Sequence, residues 1–159
     1  MKSKLFNNLL LFSLFGTALG FFGMLYEGIV TIPKMLDTSM VRMIFWRDYY
    51  VAINPIAYYI PITPLATLVL VGLCFTGAKI LPANRLCLAA VLQLAVLVIT
   101  FYIVKVINPK MYFADIERYA DVIPAKVILV NILSVVRLVL AATGLGLTFS
   151  AYVQTQKSV

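Results

Sequence analysis

The feature that most constrains the fold of this chain is a series of four apolar blocks, each close to the roughly 20 residues that a helix needs to cross a bilayer. Hydrophobic residues make up 63% of the chain and charged residues 12%. In hydrocarbon, backbone amides have no water to bind, so a spanning segment must be a helix or part of a closed barrel. Barrel strands alternate apolar and polar residues. Because these blocks are apolar all round, the sequence predicts transmembrane helices.

The predicted helices lie at about residues 5–32, 54–78, 84–107 and 125–152, within a single domain, 1–159. Three prolines fall early in the second helix (Pro55, Pro61 and Pro64), and since proline removes an amide donor, we expect a kink there. The link to the third helix is short, which predicts that these two helices are antiparallel neighbours. The predicted fold class is all-α: an integral membrane, antiparallel bundle of four transmembrane helices with two long loops on one face.

The two long loops, residues 34–52 and 108–125, lie on one predicted face of the membrane, and the termini and short link lie on the other. Between Met40 and Phe45 the first loop mixes apolar residues with Arg42. This pattern predicts a short helix that lies in the membrane interface.

The orientation of the bundle depends on its lysines and arginines, which are enriched in cytoplasmic loops. The loop face carries seven of them and the opposite face five, a count that favours cytoplasmic loops. However, Lys2 and Lys4 flank the first helix, which usually dominates orientation. We therefore expect cytoplasmic termini, in a bacterial inner membrane. The first helix resembles a signal peptide, but its apolar run continues past Gly20, so we expect it to remain uncleaved.

Several function classes are disfavoured by composition. The net charge of +7 is spread along the chain rather than gathered in a stripe, so we expect contact with membrane lipids and no binding of nucleic acid. The chain has no histidine, which removes the usual metal and haem ligand, and we predict neither a metal site nor a cofactor. The two cysteines, Cys74 and Cys87, form no Cys-x-x-Cys pair. We expect them to be two small apolar side chains near one membrane face rather than a redox relay.

Two ionisable residues, Glu27 and Arg137, fall inside the predicted helices, where an isolated charge costs several kcal/mol. Both lie towards the long-loop face, and their Cα atoms should differ in depth by roughly 10 Å at 1.5 Å of rise per residue. A guanidinium group can cover much of that gap by extending along the helix. The sequence therefore predicts an ion pair between them, with Asn131 close by in depth.

Further polar side chains gather at the same level, so the loop-face half of the bundle is polar while the other half is nearly all apolar. They are Tyr26, Asn54, Tyr58, Tyr59, Thr63, Tyr102 and Lys105. This asymmetry predicts a polar-lined cavity that opens towards the long loops. The alternative is that the charged pair only sets the register of the helices, because polar contacts between helices are common in membranes.

If the cavity supports chemistry, two residues carry it. Glu27 is the natural proton acceptor, and Arg137 would stabilise a developing anion such as an enolate or phenolate. Tyr26, Asn54, Tyr58, Tyr59 and Asn131 are the predicted substrate-binding residues.

Three short segments resemble the DUF1772, or anthrone oxygenase-like, family of small four-helix membrane proteins. They are Gly23–Glu27 followed by Pro33, Tyr50–Pro55 with its Asn-Pro pair, and Asn131 with Arg137. The resemblance implies a four-helix fold and, from the fungal members, cofactor-free oxidation of anthrones to anthraquinones. This chain departs from the family in having no histidine, so a mechanism that needs imidazole does not transfer.

The leading hypothesis is therefore a cofactor-free, oxygenase-like membrane enzyme that acts on a small lipophilic aromatic or quinone-like substrate. The alternative is a non-catalytic protein that binds a lipophile, or an accessory subunit of a larger membrane complex, and a homo-oligomer is also compatible with the small size. A small transporter is a third hypothesis, since prolines in the second helix suit a broken helix.

Overall fold

The computed structural model describes residues 2–31, 37, 39–52, 61–76, 83–113 and 117–157, which form helices and turns without any strand. The α-helices are α1 (Lys2–Tyr26), α2 (Met40–Ala52), α3 (Ile62–Thr76), α4 (Ala83–Tyr102) and α5 (Ile123–Lys157). The expectation of an all-α chain is confirmed.

Within the described residues, three segments are long and apolar enough to cross a membrane: Lys4–Ile29, Asn84–Met111 and Ile123–Lys157. The fourth apolar helix, α3, has 15 residues. The predicted start of this helix near Asn54 and the kink at Pro55 lie outside the described residues. Pro64 lies in the first turn of α3, where a missing amide hydrogen costs no helical hydrogen bond.

The short helix predicted around Met40–Phe45 is present as α2, and its place in the membrane interface stays a prediction. Met43 and Trp46, three residues apart on one side of this helix, are buried. They pack in a cluster with the continuation of α4 and the first turns of α5, namely Ile103, Ile107, Met111, Ile123, Val127 and Val130. Helix α2 therefore covers one end of the core. Because both long loops of the sequence are at this end, we call it the loop end.

The opposite end of the molecule is held by a second apolar cluster. It joins the start of α1, the end of α3, the start of α4 and the end of α5, through Phe6, Leu10, Leu70, Leu73, Leu86, Ala89, Ala90 and Ala151. Since the start of α1 and the end of α5 contribute to this cluster, we call this end of the molecule the terminal end.

Helices α1 and α3 approach closely because α1 carries two glycines four residues apart. A Cβ atom at Gly16 would collide with the Cβ of Ala66, and one at Gly20 would lie 2.6 Å from the Cγ2 of Thr63. The Thr63 hydroxyl donates a hydrogen bond to the backbone oxygen of Gly16 over 3.2 Å. Small residues at this spacing allow membrane helices to pack backbone against backbone.

At the loop end, two of the long helices widen into π-helical turns. Helix α1 continues as Glu27–Thr31, and α4 continues as Ile103–Ile107 and then Pro109–Phe113. After α4 the wider turn is shown by the Asn108 amide, which donates to the Ile103 carbonyl five residues back. The next residue, Pro109, has no amide hydrogen and cannot bond the carbonyl of Lys105.

The expectation that Cys74 and Cys87 are two unbonded apolar side chains is wrong. Cys74, near the end of α3, and Cys87, in the first turns of α4, form a disulfide with their Cα atoms 5.0 Å apart. The spacing along the sequence offered no sign of this, because the two residues meet only when α3 and α4 pack side by side. The bond ties these two helices together at the terminal end.

The contact between α1 and α3 predicts the effect of enlarging Gly16. A Gly16→Leu substitution should lower the free energy of unfolding by about 1–3 kcal/mol, because the added side chain must displace Ala66 and separate the two backbones. Gly72→Leu is the matched control, since a Cβ there meets no atom within 4 Å. Denaturant titration in detergent would measure both changes, and equal losses of stability would contradict this account of the packing.

Candidate functional site

The predicted ion pair between Glu27 and Arg137 is confirmed. The Nη2 atom of Arg137 donates a hydrogen bond of 2.8 Å to Oε2 of Glu27. The exposed fraction of the side chain is 5% for Arg137 and 13% for Glu27, so both charged groups lie largely inside the protein. Opposite charges at this distance offset much of the cost of burying either one alone. The pair connects the end of α1 to the middle of α5.

Arg137 also connects α5 to α4. Its Nη1 atom donates to the Thr100 hydroxyl over 3.3 Å, and Thr100 in turn donates to the carbonyl of Val96 over 2.7 Å. The Nε atom of Arg137 is buried and has no hydrogen-bond partner within the described parts of the chain. The guanidinium group is thus the centre of a polar network that links three helices, with one donor unused.

Asn131 lies on the same helix, six residues before Arg137. Its side-chain oxygen is buried, and among the described residues it has no hydrogen-bond partner. A buried acceptor without a partner is uncommon in proteins and is costly. The oxygen therefore remains able to accept a hydrogen bond, although its predicted role in binding a substrate stays a prediction.

The other predicted binding residues are placed differently. Tyr26 is 54% exposed and does not line the cavity described below. Asn54, Tyr58 and Tyr59 lie outside the described residues. The expected convergence of tyrosines on the ion pair is therefore not seen in the described part of the chain.

A cavity of about 630 Å³ lies between α1, α3 and α4 in the loop-end half of the molecule. Its described lining consists of Gly20, Met24, Thr63, Pro64, Val96, Leu97, Val98, Thr100, Phe101, Val104 and Lys105. Most of these side chains are apolar, whereas the sequence predicts a mainly polar lining. The tendency of buried surfaces in a membrane protein to be apolar explains the difference, since each unpaired polar group at this depth would be costly.

The described lining of this cavity includes three polar side chains: Thr63, Thr100 and Lys105. The Thr63 hydroxyl is bonded to Gly16, and the Thr100 hydroxyl is bonded to Arg137. Lys105 is exposed, lies in the π-helical turn that follows α4, and forms no salt bridge within the described residues. The cavity thus has apolar walls and an available cation at its loop end.

Thr100 is the residue that the sequence reasoning missed. It both lines the cavity and contacts Arg137, so a single hydroxyl separates the charged network from the cavity. A threonine within a largely apolar span could have marked this position as a candidate. However, its contact with Arg137 depends on which side of α4 faces α5, and the sequence does not give that rotation. The described residues hold no group of three or more histidine, cysteine, aspartate or glutamate side chains arranged for a metal ion.

The burial of the ion pair predicts different effects for single and double substitutions. Arg137→Met should lower the free energy of unfolding by about 3–5 kcal/mol, because it removes the positive charge that neutralises the largely buried Glu27 carboxylate. The double substitution Glu27→Gln with Arg137→Met removes both charges and should recover most of that loss. Unfolding titrations of the three proteins in detergent would measure this, and a double variant as unstable as the single one would contradict it.

Comparison with known proteins finds no matching family model, no matching curated protein and no matching solved structure. The resemblance to the anthrone oxygenase-like family therefore stays a prediction, as do the catalytic roles of Glu27 and Arg137. The ion pair and the cavity are the features of this structure that bear on its function.

Proposed function

We propose that this chain spans a bacterial inner membrane as an antiparallel bundle of four helices and binds a small lipophilic, oxygen-bearing molecule between α1, α3 and α4. The apolar surface of the long helices supports the membrane assignment, and helical spans suit an inner membrane because bacterial outer-membrane proteins are typically barrels. The cavity is the single observation that supports binding.

The size and lining of the cavity favour a ligand rather than simple helix packing. A volume of about 630 Å³ lies within the range of roughly 300–1,000 Å³ that is typical of small-molecule sites. Such sites have mainly apolar walls and a few polar groups that orient the ligand. The walls formed by Met24, Val96 and Phe101 suit a ring or short chain.

The polar groups favour a ligand with oxygen at one end. Lys105 offers an ammonium group at the loop end of the cavity, where a carbonyl, phenolate or carboxylate oxygen would be stabilised. Thr100 offers a hydroxyl further in, with Arg137 directly behind it. An aromatic or quinone-like molecule carries an apolar body and a peripheral oxygen, and it matches this arrangement.

Binding is favoured over catalysis because the candidate base, Glu27, and the candidate anion-stabilising group, Arg137, already engage each other. The Glu27 carboxylate is bonded to Arg137 at 2.8 Å, and neither residue is part of the described cavity lining. A general base must come within hydrogen-bond reach of the proton it removes. The arrangement supports a structural role for the pair beside a binding cavity.

Removal of the Lys105 charge should weaken binding of an anionic lipophile. We expect Lys105→Gln to reduce the affinity for hydroxynaphthoquinone roughly tenfold, with a smaller effect on neutral naphthoquinone, since a charge-assisted hydrogen bond is lost. Lys110→Gln is the matched control, because Lys110 is also exposed at the loop end but does not line the cavity. Equilibrium dialysis of the protein in nanodiscs would measure the affinities.

A cavity-filling pair tests the location of the site. Val104→Trp should abolish binding of both quinones, whereas Val139→Trp, on an exposed face of α5 away from the cavity, should leave it unchanged. If both tryptophan variants bind as well as the native chain, the cavity is not the site. A stoichiometric protein partner in native membranes, with no bound lipophile, would favour the accessory-subunit alternative instead.

A second candidate is the cofactor-free, oxygenase-like enzyme, which the bond between Arg137 and Thr100 favours. Through this hydroxyl the charged network reaches the cavity wall, so a ligand at Thr100 would lie one side chain from Arg137. In this mechanism Glu27 accepts a proton from the substrate, and Arg137 stabilises the resulting enolate or phenolate. Molecular oxygen would be the oxidant: one of its atoms becomes the new carbonyl oxygen of the quinone, and the other leaves as water with the two hydrogens lost from the substrate carbon.

Turnover of anthrone tests the second candidate. The double variant Glu27→Gln with Arg137→Met should retain its fold and lose all formation of anthraquinone, because it removes both the base and the anion-stabilising group. Oxygen consumption and product absorbance would report the reaction, with Lys110→Gln as the control variant. Full turnover by the folded double variant would exclude this mechanism and leave the binding proposal intact.

A further inference from the structure

The disulfide between Cys74 and Cys87 lies at one end of the long helices. Cys74 is two residues before the end of α3, and Cys87 is the fifth residue of α4. Cys74 packs against the terminal-end cluster, which also contains Phe6 near the start of α1 and Ala151 near the end of α5. The bond therefore shares its end of the molecule with both chain termini.

The geometry of the two helices allows the bond without movement of the backbone. The Cα atoms are 5.0 Å apart, within the roughly 4.4–6.8 Å range of protein disulfides. Neither cysteine is fully buried, and both lie near helix ends rather than in the middle of the apolar span. The two thiols are thus close enough to the adjoining aqueous compartment for its oxidants and reductants to react with them.

The chemistry of the bond selects a compartment. Joining two thiols releases two protons and two electrons, which an oxidising protein disulfide accepts as it is reduced to a dithiol. Such oxidants act in the periplasm and other extracytoplasmic compartments, whereas cytoplasmic thiols are kept reduced. A structural disulfide at one end of a membrane bundle therefore marks that end as extracytoplasmic.

We infer that the terminal end of this protein faces the oxidising compartment and that the loop end faces the cytoplasm. This assignment places both termini outside, opposite to the orientation that Lys2 and Lys4 favour. It also places α2, the ion pair and the Lys105 end of the cavity in the cytoplasmic half of the membrane. A ligand would then reach the cavity from the cytoplasmic leaflet.

The distribution of charge agrees with this orientation. The topology predicted from the sequence assigns seven lysines and arginines to the loop face: Lys34, Arg42, Arg47, Lys105, Lys110, Arg118 and Lys126. It assigns five to the opposite face: Lys2, Lys4, Lys79, Arg85 and Lys157. Orientation follows positive charge, and acidic residues have little influence, so the five acids of the loop face do not oppose it. The count and the disulfide are independent observations that favour the same orientation.

Two added cysteines test the orientation in intact bacterial cells that express the full chain. Lys157→Cys lies at the terminal end and Asp121→Cys at the loop end, and both positions are exposed. A membrane-impermeant maleimide should label the Lys157→Cys variant in intact cells and the Asp121→Cys variant only after permeabilisation. Each variant keeps the native cysteines, whose bonded state protects them from the reagent. The reverse pattern of labelling would overturn the inference.

The redox state of the native chain provides the second measurement. After acid quenching of cells, Cys74 and Cys87 should resist alkylation until a reductant is added, and then take up two alkyl groups. In a strain without periplasmic disulfide oxidants, both should become alkylated directly. Free thiols in the wild-type strain would overturn the inference. Neither readout involves ligand, so a failure of the proposed binding function would leave this test unaffected.

Discussion

The structure depends on the neutralisation of one buried cation. Arg137 lies in the middle of the longest helix, where an unpaired charge would cost more than most single contacts in the protein contribute. Its guanidinium group bonds to Glu27 and to Thr100, so α1, α4 and α5 must keep a common register. A shift of one helix by a single turn, about 5.4 Å, would separate these groups and leave the charge exposed to an apolar environment. The polar network therefore specifies how three helices align. Apolar contacts alone would specify this alignment only weakly in a membrane, because lipid tails are as apolar as the helix surfaces.

Each end of the molecule is held by an apolar cluster, but the two ends differ in what accompanies that cluster. At the terminal end, leucines and alanines fill the core and the Cys74–Cys87 disulfide joins α3 to α4. Towards the loop end, α1 and α4 widen into π-helical turns, and the cavity opens between α1, α3 and α4. Turns of this kind are rare and often occur at functional sites. The disulfide is therefore at one end of the bundle, and the cavity lies in the other half.

Part of the candidate site was predictable from residue chemistry. Glu27 and Arg137 stood out because carboxylate and guanidinium groups are rare within apolar spans, and their depths followed from the rise of a helix. Helix α2 was predictable because Arg42 interrupts an apolar run in a loop rich in aromatic residues. The cavity lining was not predictable in the same way, because Val96, Leu97 and Phe101 resemble every other apolar residue in the span. Only the rotation of α4 about its axis determines which of them face the cavity.

The amino-acid sequence by itself determined that this chain is helical and apolar enough for a membrane, because backbone amides in hydrocarbon must bond within their own helix. It also determined which charges needed a partner. The tertiary structure alone decided that Cys74 meets Cys87, that Thr100 bonds Arg137, and that the glycines of α1 lie against α3. Each of these contacts joins residues from different helices. Their formation depends on how the helices are rotated and aligned, which no periodicity within one segment records.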